Sequence, residues 1–392
     1  MPPLMRELFS MGFDASTIKG KLRLLTLLAV LGCLFNGTET LTGPYRAFVS
    51  SSVTGSPTNN AFIEQKIAHP FEPLDLPADA NSHANSHWEK LAFRFVPFLI
   101  ANILRIDQRG LICLQILLGI MFPLLLWKIL FQATKSAALS TSGVVLINGL
   151  YLGVSFFFDT VFFDSFAFFF LLCAMLPAPR WVSLAFLLGA GFTDERALLA
   201  SFLVPIWRLF AAPDATIKQA GKEAVWQIAF LVSYALLRIA IGAITGLETD
   251  QSGVGFEILR LNLPNIVLLV WSVFEGGWVI IVLAAFRLLD FGSALERFLA
   301  GAAAVCAACI FLAGMLVADS IRSQQYAFPL LLIAIVVAGR QRRPIPQRVM
   351  TFAIALTLIT PITIYLGFEA AGNRALYNLY LLKPGYLRLF GF

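Results

Sequence analysis

The 392-residue chain is 58% hydrophobic and only 13% charged, with a mean hydropathy of +0.80 and a net charge of +6. A soluble domain of this size must cover its surface with polar groups, and a barrel would alternate polar and apolar residues, so both are excluded. The composition implies an all-α polytopic transmembrane bundle, a single integral membrane domain over 1–392, with no nucleic acid as partner.

Arg6, Lys19, Lys21 and Arg23 precede a first apolar run, Leu24 to Phe35. No small-x-small cleavage site follows, so a retained first helix with a cytoplasmic N-terminus is expected. The stretch from Asn36 to Lys90 is polar and holds all three histidines, His69, His83 and His87. Leu91 to Leu104 is apolar but carries Arg94 and Pro97, and falls short of the ~20 residues of a span. It is predicted to be an amphipathic interfacial or re-entrant helix within a long first extracytoplasmic loop, 36–110.

Apolar segments then follow at 111–132, 142–158, 161–176, 181–192, 197–211, 224–246, 264–286, 297–317, 325–339 and 349–367, for about eleven helices in all. The run 142–176 is too long for one helix, and a turn is predicted at Asp159-Thr160. Lysine and arginine gather in alternate loops, among them Lys135, Arg180, Arg208, Lys218 and the Arg340–Arg343 cluster. The positive-inside rule puts those loops in the cytoplasm and the turns near 160, 194 and 320 outside. The five cysteines, Cys33, Cys113, Cys173, Cys306 and Cys309, lie in apolar runs, so no disulfide framework is expected.

The outer turns hold the candidate chemistry. Asp159, Asp164, Asp194 and Glu195 are carboxylates placed against apolar segments, where charge is costly and usually kept for a job. They suit a general base; alternatively they hold a divalent cation, though no dedicated metal site is expected. Arg196 and, beside Asp319, Arg322 suit a phosphate or diphosphate. Arg238 and Glu275 lie at similar depth within 224–246 and 264–286, which predicts a buried structural ion pair. Glu275-Gly276-Gly277 also predicts a break in its helix. His83 and His87 are four apart, but Asn and Ser around them favour a loop; His87 is expected as a substrate contact.

A first helix, a long outer loop with an interfacial helix, and many helices with acids on the outer face resemble the GT-C superfamily. Its members are integral membrane glycosyltransferases of the cell envelope that take sugars from polyprenyl-phosphate carriers. The resemblance implies transfer of a hexosyl or pentosyl group at the outer face, with the carrier lipid as partner. It also implies an acidic base early in the first outer loop. Glu39, in Asn36-Gly37-Thr38-Glu39-Thr40, occupies that place without the acidic neighbour common in the superfamily. Arg94, Arg196 or Arg322 would then stabilise the departing lipid phosphate. Two other readings stay open: a secondary transporter with a midplane site near Glu275 and Arg238, and a non-catalytic membrane assembly subunit.

Overall fold

The computed structural model describes residues 57–73, 92–158, 163–212, 215–247, 255–317, 320–340 and 345–359, and among these every regular element is helical. Glu39, His87, Asp159 and Asp319 lie outside the described residues, as do the first apolar run and the C-terminal tail.

Two short helices come first, α1 (Pro57–Ala68) and α2 (Val96–Leu104). The nine residues of α2 are too few to span. Pro97 sits in its first turn, where a missing N–H is harmless, and Arg105 ends it in a left-handed conformation. Phe62 and Ile63 of α1, Phe98 and Ala101 of α2, and Leu111 and Ile112 of the next helix form one small apolar cluster.

Four helices are long and apolar enough to cross a membrane, or up to six if each of two bent pairs is one span. Asp107 caps α3 (Gln108–Thr134) by accepting from the Gly110 N–H at 2.9 Å. The expected 142–158 segment is instead the bent pair α4 (Ala137–Asn148) and α5 (Tyr151–Phe158). Three expected segments are helical but shorter than a full span: α6 (Asp164–Ala174), and, within one residue of their expected bounds, α7 (Arg180–Gly191) and α8 (Ala197–Ser201) continuing into α9 (Leu203–Ala211). Eleven residues rise only ~16 Å, about half of a ~30 Å apolar core.

Next, α10 (Ile217–Thr245) begins with a reciprocal Thr216–Gln219 capping box and ends at left-handed Gly246. It is inside out relative to a soluble helix. Glu223, Gln227, Phe230 and Tyr234 form its buried stripe, whereas Val232, Leu236 and Ile239 are exposed. Only hydrocarbon accommodates that arrangement, and the chain is an integral membrane protein.

The break predicted at Glu275 is present. α11 (Phe256–Asn262) leads through a 3-10 turn into α12 (Ile266–Phe274), and α13 (Gly277–Phe291) leaves at 83° to it. Glu275 itself is buried with φ 46°. α14 (Ala294–Met315) packs through Ala303, Ala307 and Gly314; a methyl at Gly314 would stand 2.5 Å from Gln324 Cγ, so small residues do set a close approach. α15 (Ser320–Gln324) and α16 (Phe328–Arg340) form one nearly buried span, and α17 (Gln347–Ile359) closes the described structure. Cys113, Cys173, Cys306 and Cys309 are free thiols.

Candidate functional site: a buried cluster of three acids and three arginines

Local backbone chemistry sets each member of the site. Thr193 Oγ1 donates to Gly189 O at 2.7 Å and ends α7. Asp194 then accepts the Arg196 N–H at 2.9 Å, a side-chain turn that starts α8. On the facing helix, Asp164 follows Phe163, a bulky residue held at φ 56°, ψ 29°. Such a conformation costs roughly 1–3 kcal/mol and persists only where packing over-determines it. Phe163 is fully buried, edge-on to Phe98 at 5.7 Å and Phe166 at 6.2 Å.

Arg94, just before α2, binds both acids of the 194–195 turn. Its Nε and Nη2 fork onto the Glu195 carboxylate at 3.0 and 2.7 Å, and Nη1 lies 3.1 Å from Asp194 Oδ2. Arg196 Nε lies 2.8 and 2.9 Å from the two Asp194 oxygens, and a second nitrogen makes a short contact there. Arg196 Nη2 also donates to Asp164 Oδ2 at 2.7 Å, and Nη1 to Ser323 Oγ at 2.6 Å. Arg322 Nε approaches Asp164 Oδ2 at 3.1 Å, and Arg94 Nη1 stands 3.9 Å from Asp164 Oδ1. Three acids and three arginines thus meet from four separate stretches of chain.

Asp164 and Asp194 are fully buried, whereas the Glu195 side chain is 42% exposed. Burial alone would raise the Asp194 carboxyl, but the Arg196 and Arg94 guanidiniums outweigh it and hold that group well below the usual carboxylate range. Asp194 is therefore an anchor for arginines, and Glu195 is the carboxylate of the three that a substrate can reach. Among the described residues no group of three His, Cys, Asp or Glu side chains is arranged to hold a metal ion.

Aromatic rings wall the cluster. Phe71, Phe95, Phe192 and Tyr234 pack in series as tilted pairs at centroid distances of 4.7, 5.0 and 4.7 Å. On another side Arg196 lies over the Tyr326 ring at 5.3 Å, and Phe168 packs on that ring at 4.7 Å. Tyr326 is fully buried, and its hydroxyl has no hydrogen-bond partner among the described residues.

Lys66 ties α1 to this site. It is fully buried, and its Nζ donates to Pro70 O, Glu72 O and Ala92 O at 3.2–3.3 Å, two residues before Arg94. Burial lowers its pKa from 10.5 to about 8. Below pH 8 both folded and unfolded chains hold the proton. Between about 8 and 10.5 the unfolded chain binds more, so stability rises with pH there. The thermal stability of wild type relative to Lys66→Met should therefore rise as pH is taken from 8 to 10; a pH-independent difference would refute the shifted lysine.

Of the residues expected from sequence, Asp164, Asp194, Glu195, Arg94, Arg196 and Arg322 converge. Asp194 pairs locally with Arg196, but the other pairings are not local: Glu195 binds Arg94 rather than its neighbour, and Asp164, with no cation near it in sequence, meets three. The expected Arg238–Glu275 pair is absent from the ion pairs among the described residues. Arg238 instead donates to Tyr234 Oη at 2.8 Å and lies 4.1 Å over the Phe93 ring, while Glu275 is buried at its helix break. Equal depth in a bilayer does not specify which helices are neighbours. Sequence reasoning missed Ser323 and Tyr326; their signal was the polar run Ser320 to Tyr326, all buried, ahead of a continuous apolar segment. Compared with known protein families, curated proteins and solved structures, the chain matches none.

Proposed function

We propose that the chain is a GT-C-like glycosyltransferase acting on a polyprenyl-phosphate-linked sugar, with its site at the ionic cluster. One observation carries the reading: α15 and α16 join the cluster to an apolar groove. Arg322 and Ser323 belong to the cluster, and further along the same span Leu330, Ile333 and Val337 line a groove of about 240 Å³ with Trp278, Ala304 and Phe311. Eight residues of helix rise ~12 Å, so an anionic head and an apolar chain are served by one element.

In this reading Glu195 takes the proton of the acceptor hydroxyl as its oxygen bonds to the anomeric carbon. The anomeric carbon–oxygen bond to phosphate breaks, and the phosphate leaves with the electron pair toward the Arg94, Arg196 and Arg322 guanidiniums. The buried Tyr326 hydroxyl is a further donor. The loop 36–110 and the cluster are placed on the extracytoplasmic side, with the N-terminus and the basic loops in the cytoplasm.

Purified chain should release polyprenyl phosphate from a lipid-linked sugar donor in detergent or nanodiscs. Glu195→Gln should slow that release by about 10²–10⁴-fold, with a smaller loss of melting temperature than Asp164→Asn because Glu195 is half-exposed. Ala304→Phe, which fills the groove from an exposed position, should raise KM for a long-chain donor and spare a short-chain one. No release from any such donor would defeat the proposal. The 83° break at Glu275 favours a second reading as a transporter, because broken helices line midplane sites. Solute uptake into proteoliposomes that is lost in Glu275→Gln and kept in Glu195→Gln would decide for it.

A further inference from the structure

A second polar site lies at the far ends of the same helices. α6 and α7 have the cluster at one end; at the other, ~16–18 Å away, they meet the end of α3 and the starts of α10 and its loop around a cavity of about 440 Å³. Gln132, Lys135, Arg180, Arg208, Gln219 and Glu223 line it. Three of these are cations and one is a carboxylate, and that carboxylate, Glu223, is already bound to Arg180.

The donors are set in place. Arg208 Nη2 donates to Ala174 O at 3.1 Å and Leu176 O at 3.3 Å, fixing the guanidinium plane. Its Nε is buried without a hydrogen-bond partner among the described residues. Lys135 caps α3 in the left-handed conformation, φ 55°, and is exposed at the cavity. Trp181 and Ile217, neighbours in sequence of the lining residues Arg180 and Gln219, carry exposed apolar side chains.

We propose that this cavity binds a phosphate-bearing anion, with Arg180 and Arg208 as its guanidinium donors and Lys135 closing on it from the exposed side. A guanidinium fork matches phosphate oxygens, and a planar donor already held by carbonyls loses little freedom on binding. The volume falls in the ~300–1,000 Å³ range of small-molecule pockets. Basic pockets between membrane helices take lipid headgroups in the same way. The phosphate has two possible sources, a phospholipid headgroup from the adjoining leaflet or a soluble phosphate compound. The inference stands apart from the function proposed above, since the two sites share no residue.

The test uses the full-length protein with two probes. Inorganic phosphate is titrated in detergent while thermal unfolding is followed. Separately, native mass spectrometry reads retention of phosphatidylglycerol against phosphatidylcholine from mixed nanodiscs. A phosphate-induced rise in melting temperature whose apparent Kd weakens at least tenfold in Lys135→Gln identifies a soluble ligand. Retained phosphatidylglycerol that is lost in Lys135→Gln identifies a lipid headgroup. Lys135 is exposed, so that variant is expected to fold; Arg208→Gln, checked for monodispersity, should show the larger loss. Wild type that responds to neither probe, or a Lys135→Gln protein that binds both as wild type does, would overturn the proposal.

Discussion

Asp164→Asn should be among the most damaging single changes in the molecule, lowering stability by about 3–5 kcal/mol. Asp164 is fully buried and faces Arg94, Arg196 and Arg322, so the amide keeps the shape and removes the charge that compensates them. Breaking a buried pair is far more costly than replacing both partners. Asp164→Asn combined with Arg322→Met should therefore recover part of the loss. A thermal-shift double-mutant cycle measures the coupling. Strict additivity would show that Arg322 and Asp164 do not interact, and with that the closure of the cluster would fail.

Gly276→Ala should be comparably severe for a steric reason. A Cβ on Gly276 would lie 1.9 Å from Ala353 O and 2.8 Å from its carbonyl carbon, and backbone of a packed helix cannot yield that far. The same substitution at Gly301, mid-helix in α14 with nothing within 4 Å, should instead stabilise by about 0.5–1 kcal/mol through its effect on the unfolded chain. Opposite signs in the two variants, read by melting temperature in detergent, test the docking of α17 on the break. A Gly276→Ala protein as stable as wild type would mean that α17 sits elsewhere.

The sequence was most legible where a single residue decides local geometry. The Glu275-Gly276-Gly277 break and the non-spanning length of α2 could both be seen in short windows. Positive-charge bias grouped the turns near 160 and 194 on one face, and Asp164 and the 194–196 turn do meet. Which cation met which acid was not legible. Arg94 and Glu195 are 101 positions apart; the packing of Phe95 against Phe192 and the Val96 N–H donated to Phe192 O hold the two stretches together. Hydropathy counted α6 and α7 with the spans although eleven and twelve residues fall short of a ~30 Å core, because it counts apolar residues without knowing whether lipid or protein surrounds them. Depth counting paired Arg238 with Glu275, yet Tyr234, one turn away on the same helix, supplied the nearer acceptor.

The cluster also has a history during synthesis. Arg94 is made first, and Asp164, Asp194, Glu195 and Arg196 follow, so the nascent chain carries one carboxylate more than it has guanidiniums. Arg322 restores neutrality only 158 positions after Asp164. At about 5–20 residues per second, that delay is roughly 8–30 seconds. Entry of α6 into hydrocarbon within that interval would leave its acid without its last partner, a costly arrangement. Insertion of α6 together with α15 avoids that cost, so the order of the residues along the chain favours late, joint entry of these helices into the bilayer.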